Sequence, residues 1–226
     1  MTLTTYADLE QGTDEWLAAR CGIVTASVMG QLITPGTVKV AKNDYSRGLT
    51  ATLVAERITG HVEPMQVSQA MMRGTLDEPY ARDAYAEHHA PVTELGFMVK
   101  DFGKYRIGYS PDGLVGDDGL IEIKSRAQKK HLQTILADEV PLENMAQVQT
   151  GLLVSGRAWL DYVSFCSGMP LWTKRVEPNE KWFDAITDAA LTFEANAAEM
   201  LATYAAATKN LPATERLDHF AELEMY

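Results

Sequence analysis

The residues of this chain best suited to do chemistry lie between Tyr109 and Lys124. There Ser110-Pro111-Asp112-Gly113 is followed by a short polar turn and then by Glu122-Ile123-Lys124. Two carboxylates and one amine so placed could share one metal ion and one water. From Leu120 to Ser125, Ile121 and Ile123 alternate with Glu122 and Lys124, the period of a strand, so Glu122 and Lys124 share a face. Gly116-Asp117-Asp118-Gly119 is a strong turn signal that folds Asp112 back beside Glu122. With the Ile123 carbonyl added, the set offers the hard oxygen ligands that Mg²⁺ prefers. A plainer reading makes Asp-Gly a surface turn and Glu-x-Lys a solvated strand face. The apolar residues around each charged one favour a site.

Elements that would position these groups can be read along the chain. Thr13-Asp14 caps a helix over Glu15–Arg20, and Thr25-Ala26-Ser27 opens another through about Ile33, after a break at Gly22. Hydroxyls and free amides at a helix start suit a phosphate, and Arg20 lies just upstream. Capping by Thr25 alone, with Arg20 on the surface, is the simpler alternative. A loop over Thr34–Asn43 leads to a helix capped by Asp44 that ends at Thr59 before Gly60. Ser68–His89 reads as a helix that Gly74 and Pro79 bend or interrupt; Glu78 is one of several carboxylates along it. Val92–Asp101 and Lys104–Tyr109 form a hairpin that feeds Asp112 and then the Leu120–Ser125 strand, an antiparallel meander. Helices follow over Gln128–Asp138 and Glu143–Ser155, with Gln147 near the start of the second. Strands over Arg157–Cys166 and Leu171–Val176 precede a long amphipathic helix over Asn179–Ala207 and a short acidic tail. Strands alternating with helices predict an α/β fold in one domain, residues 1–226.

Composition bounds the function. Apolar residues at 46% and charged ones at 23% describe a soluble globule with enough material for a core. No apolar run approaches a membrane span, and Met1–Arg20 lacks the layout of a signal peptide. Cys21 and Cys166 fit reduced thiols, and the expected location is the cytoplasm. A net charge of −11 is awkward for a partner of nucleic acid, but it is unevenly spread. From Glu177 to Tyr226 there are 10 acidic and 3 basic residues, against 21 and 17 in the rest. Lys124, Arg126, Lys129 and Lys130 form a basic cluster, and local fields steer a polyanion more than net charge does.

Five segments in order resemble the lambda-type exonucleases, the YqaJ-like viral recombinase family. They are Arg20-Cys-Gly-Ile-Val-Thr-Ala-Ser27, Arg73-Gly74-Thr-Leu-Asp-Glu78, Ser110-Pro-Asp-Gly113, Glu122-Ile-Lys124 and Met145-Ala-Gln147-Val-Gln149. The resemblance implies a restriction-endonuclease-like core, a central mixed β-sheet flanked by helices. It implies that Asp112 and Glu122, with the Ile123 carbonyl, hold Mg²⁺ (or Mn²⁺), and that Glu78 reaches a second ion. Lys124 then orients or deprotonates the attacking water, and Gln147 positions it. Arg20, Ser27 and Ser110 fall where similar enzymes hold a terminal 5′-phosphate. Lys130 stands where a relative has arginine, and Met71 where a relative separates the first base pairs; ordinary helix packing is the alternative for Met71.

The implied activity is processive 5′-to-3′ digestion of one strand of duplex DNA from its phosphorylated ends, releasing 5′-mononucleotides and leaving a 3′ overhang. Two divalent ions would activate water and stabilise the leaving 3′-oxygen, and a lysine beside such ions has a depressed pKa. The implied setting is phage-type recombination in a bacterial cell, beside a single-strand annealing protein, with a homotrimeric ring around the duplex. Competing readings are a same-fold endonuclease and a catalytically silent scaffold that binds DNA ends.

Overall fold

A computed structural model describes residues 1–64 and 67–217 of the chain. The last nine residues of the acidic tail lie outside that range.

Among the described residues two four-stranded sheets carry the fold. The first has the order β1-β5-β6-β2, from β1 (Thr2–Tyr6), β2 (Val24–Thr25), β5 (Phe97–Asp101) and β6 (Arg106–Tyr109). The second has the order β10-β9-β8-β7, from β7 (Gly113–Val115), β8 (Gly119–Ser125), β9 (Trp159–Phe165) and β10 (Trp172–Val176). Both sheets are mixed, since β2 runs parallel to β6 and β8 parallel to β9 while the other pairs are antiparallel. The hairpin expected before Asp112 therefore belongs to one sheet and the Glu-x-Lys strand to the other. Asp112 lies where the chain crosses between them.

Among the described residues seven helices surround the sheets: α1 (Asp14–Arg20), α2 (Ala26–Met29), α3 (Asp44–Thr59), α4 (Gln69–His88), α5 (Gln128–Ala137), α6 (Leu142–Ser155) and α7 (Glu180–Thr208). α4 lies on one face of β8 and β9, where Ala81 and Tyr85 pack against Val115, Ile121, Ile123 and Val163. Tyr85 also donates to Asp161 of β9 at 2.7 Å, which fixes the helix to the sheet. The main core lies on the opposite face, where Leu120, Leu160 and Tyr162 meet α6 residues such as Ala146 and Leu152 and the apolar stripe of α7. β8 is thus buried on both sides, and its alternation puts Glu122 and Lys124 toward α6.

Several local expectations change. Asn43, not Asp44, caps α3, in a reciprocal capping box with Ser46. The helix begun at Ala26 ends at Met29, and Ile33–Thr34 instead pairs as β3 with β4 (Lys39–Val40) inside the expected loop. Pro79 does not interrupt α4, because a proline removes one backbone N–H and the flanking turns keep theirs. No helix among the described residues is long and apolar enough to cross a membrane.

α6 packs against β6 at residue 151, which has no side chain. A Cβ there would lie 2.7 Å from Cζ of the buried Tyr109 ring. Gly151→Ala is expected to cost about 1–3 kcal/mol by overpacking, read as a lower midpoint in urea denaturation at an unchanged slope.

Candidate active site

β8, α6, α4 and the Ser110–Asp112 crossover converge on a cleft of about 440 Å³. Its lining includes Arg20, Ser27, Met71, Glu78, Ser110, Asp112, Glu122, Ile123, Lys124 and Gln147. Ten of the eleven residues singled out from the sequence thus share one cavity. Lys130 does not: it is exposed on α5 and pairs with Glu143 at 2.9 Å. The basic cluster likewise disperses, since Arg126 turns inward to Asn144 and Tyr162.

At the acidic end, Glu122 is 1% exposed. Its Oε1 accepts from Lys124 Nζ at 2.6 Å and also from the Gln147 amide. Its Oε2 is buried with no hydrogen-bond partner among the described residues. The Asp112 Oδ2 accepts from the Ile123 N–H at 2.6 Å, which ties the crossover to β8 and sets the two carboxylates side by side. Glu78 reaches the cleft from α4. Arg82, one turn further on, donates to Glu78 at 2.6 Å, to the Asp112 carbonyl at 3.0 Å and to Glu94 at 2.9 Å.

This crowding is visible in the protonation equilibria. Burial raises Asp112 well above the usual carboxyl range, and the neighbouring Glu122 charge adds to the rise, against the Ile123 N–H and Lys124. Burial also raises Glu78, partly offset by Arg82 and reinforced by Glu122. For Lys124, burial pulls downward, but the Glu122 and Asp112 charges together prevail and hold the amine above its ordinary value. The depression expected beside divalent ions therefore requires those carboxylate charges to be neutralised first.

The donor set fits a hard divalent cation. Glu122 Oε2 is a buried acceptor without a partner among the described residues, Asp112 is tied to the Ile123 N–H, and all three residues line the cleft. Among the described residues no three His, Cys, Asp or Glu side chains close around a single point. Two carboxylates with open positions are nonetheless the usual arrangement where Mg²⁺ keeps waters and takes oxygens from a substrate phosphate.

The other end of the cleft is built from different chemistry. The Arg20 guanidinium lies 4.3 Å from the centroid of the Trp16 ring, and Trp16 Nε1 donates to Ser110 Oγ at 3.1 Å. Burial lowers the Arg20 pKa from its ordinary value, partly restored by Glu56. Thr25 Oγ1 and Ser27 Oγ are 3.1 Å apart, and Thr25 makes no side-chain cap to α2. With α2 only four residues long, the polar groups here are hydroxyls and a guanidinium, not a helix dipole. Met71 lines the cleft at 43% exposure, so it is not a core residue.

Trp16 and Arg82 are the contributors that sequence reasoning passed over. Trp16 lies within the expected first helix, where its indole N–H gives no local signal. Arg82, four residues after Glu78, carried the spacing of a helical ion pair.

Comparisons with known proteins bear on the family and the fold. Residues 15–158 match the model of the YqaJ-like viral recombinase domain. An alkaline exonuclease, LHK-Exo from Laribacter hongkongensis, is 33% identical with a TM-score of 0.78, covering 88% of this chain and all of the other. The same enzyme in complex with dAMP aligns with a TM-score of 0.77 over the same shares and at the same identity. A phage-related exonuclease from Haemophilus somnus shares the fold at a TM-score of 0.62 and 10% identity, over 80% of this chain and 96% of that one. No curated protein matches by sequence.

Proposed function

The chain belongs to the YqaJ-like viral recombinase family, and from that premise we propose that it is a divalent-metal-dependent 5′-to-3′ exonuclease acting on the ends of double-stranded DNA. Kinship with an alkaline exonuclease at 33% identity supports a nuclease. The observation that carries the finer reading is the two-ended cleft. Asp112, Glu122, Lys124 and Gln147 gather at one end, and Arg20, Ser27 and Ser110 line the same cavity.

Asp112, Glu122 and the Ile123 carbonyl would hold Mg²⁺ or Mn²⁺, with Glu78 for a second ion. When bound, such ions supply Lewis-acid stabilisation of the charge that phosphodiester hydrolysis develops. The chain's own groups do the rest. Lys124 and Gln147 both donate to one oxygen of Glu122, and from there they orient a water or move its proton. Arg20, stacked on Trp16, offers a fixed guanidinium fork to a terminal 5′-phosphate, with the Ser27 and Ser110 hydroxyls beside it. Cleavage on the 3′-oxygen side releases a 5′-mononucleotide, the product class to which dAMP belongs. It also leaves a new 5′-phosphate that the same fork attracts, which favours one direction and repeated cycles. Met71 in the cleft wall suits a wedge between the first base pairs. A homotrimeric ring with DNA inside would place the acidic exterior in water, and a single-strand annealing protein would receive the 3′ overhang.

Linear duplex labelled at either end tests this reading. The 5′ label is expected to leave first, only with a divalent ion, and faster from phosphorylated ends, while covalently closed plasmid stays intact. Cutting of closed circles would instead support the endonuclease. Light scattering at working concentration tests the ring, and a monomer would exclude it.

A further inference from the structure

The peptide of Gly22 is gripped from both sides by adjacent residues of α3. Its N–H donates to Glu56 Oε2 at 2.7 Å, and its carbonyl accepts from Arg57 Nε at 2.8 Å. The position suits glycine for two reasons: φ is +66°, and a Cβ would lie 2.4 Å from Cγ of Arg57. The remaining nitrogens of Arg57 form a bidentate pair with Glu194 of α7, both bonds 2.7 Å, while the guanidinium lies 5.0 Å from the Phe193 centroid. About a quarter of each side chain of the pair is exposed, 27% and 26%. One guanidinium therefore joins α3, α7 and the turn between α1 and β2, across 137 residues of sequence.

That turn carries the phosphate end of the cleft. Arg20 precedes Gly22 by two residues and Ser27 follows it by five. Arg57 and Glu194 do not themselves line the cleft. Arg57 reaches the turn that carries the phosphate end through the gripped peptide. A lysine at 57 would keep the charge but could not hold a carboxylate in a fork and a carbonyl at once.

We infer that Arg57 and Glu194 are positioning residues for recognition of the terminal 5′-phosphate: their fork fixes the Gly22 peptide and so the separation of Arg20 from Ser27. This rests on the reading of the Arg20 end as the phosphate site.

The test uses the full chain and its Arg57→Lys, Arg57→Met and Glu194→Gln variants, each with its melting temperature recorded. Initial digestion rates are measured on duplexes ending in 5′-phosphate or 5′-hydroxyl. Binding of both duplexes is followed by fluorescence anisotropy in EDTA. Wild type is expected to prefer the phosphorylated end. The variants are expected to lose about tenfold of that preference, as small displacements of positioning groups do. The loss should appear as a higher KM on phosphorylated duplex with little change in kcat, and as a matching loss of preference in EDTA. Glu194→Gln keeps the side-chain shape on a helix surface and so remains informative if the Arg57 variants fold poorly. Variants with lower melting temperatures and an unchanged preference would assign the pair a structural role only and overturn the inference. Equal wild-type rates on the two ends would overturn the phosphate site itself, and this inference with it.

Discussion

Lys124→Ala is expected to slow hydrolysis by about two to four orders of magnitude, the range for losing a positioned proton-transfer group, while DNA-end binding in EDTA stays near that of wild type. The ammonium is 2.6 Å from Glu122 Oε1, at the focus of the acidic end, and among the described residues no other lysine lines the cleft. It is also the cation that restrains the raised pKa of Asp112. Its removal therefore takes away a group that acts on water and, at the same time, makes Asp112 harder to ionise. Gln147→Ala removes only a neutral donor to the same oxygen and is expected to cost less. Single-turnover release of labelled nucleotide at saturating Mg²⁺ separates the two, because the binding step is then excluded. Undiminished digestion by Lys124→Ala would remove this amine from the chemistry. Loss of binding in EDTA to the same extent as turnover would make it a DNA contact instead.

The chemical end of the site was legible because it is local. Ile121 and Ile123 face α4 while Glu122 and Lys124 face α6, and that alternation is written in four consecutive letters. Gly60 and Gly156 adopt the left-handed conformation that closes a helix, as glycine after an apolar periodic run suggests. What the sequence hid depends on distant pairing. β8 runs parallel to β9, a partner that follows α5 and α6, so nothing near Glu122 announces that the hairpin before Asp112 belongs to another sheet. β1 pairs with β5 yet buries no side chain, so it has no alternation to read. β3 and β4 are two residues each, below the length at which a period exists. The Arg57–Glu194 fork joins two helices 137 residues apart and leaves no local pattern. Lys130 shows the opposite case: a basic residue close to the site in sequence is carried out of the cleft by the first turn of α5 and pairs with Glu143.

The metal-free protein is expected to lose stability as pH rises from the ordinary carboxyl range toward neutrality, and divalent ions are expected to restore it. Asp112 and Glu78 have folded pKa values raised above their ordinary 3.8 and 4.5, by burial first and by carboxylate neighbours such as Glu122 next. Between the ordinary and raised values the folded state binds more protons than the unfolded one, so stability falls with rising pH across that window. Asp138 and Glu143 are shifted the other way, by Lys174 and Lys130, but they lie at the surface where solvent screens the effect. Lys124, raised above 10.5, loses its contribution only in alkali and does not enter this window. Asp112→Asn removes one of the crowded charges and retains an oxygen to accept the Ile123 N–H. Its melting temperature in EDTA near pH 7 should therefore exceed that of wild type by about 2–4 °C for each kcal/mol relieved. The rise produced by Mg²⁺ in wild type should be largely lost, and hydrolysis with it. Thermal scans from about pH 5 to 8, with EDTA and with Mg²⁺, resolve both effects. A wild-type stability that climbs with pH in EDTA, or an Asp112→Asn variant that still gains from Mg²⁺ as wild type does, would mean that the buried carboxylates are satisfied within the protein and that the cleft has no need of a cation.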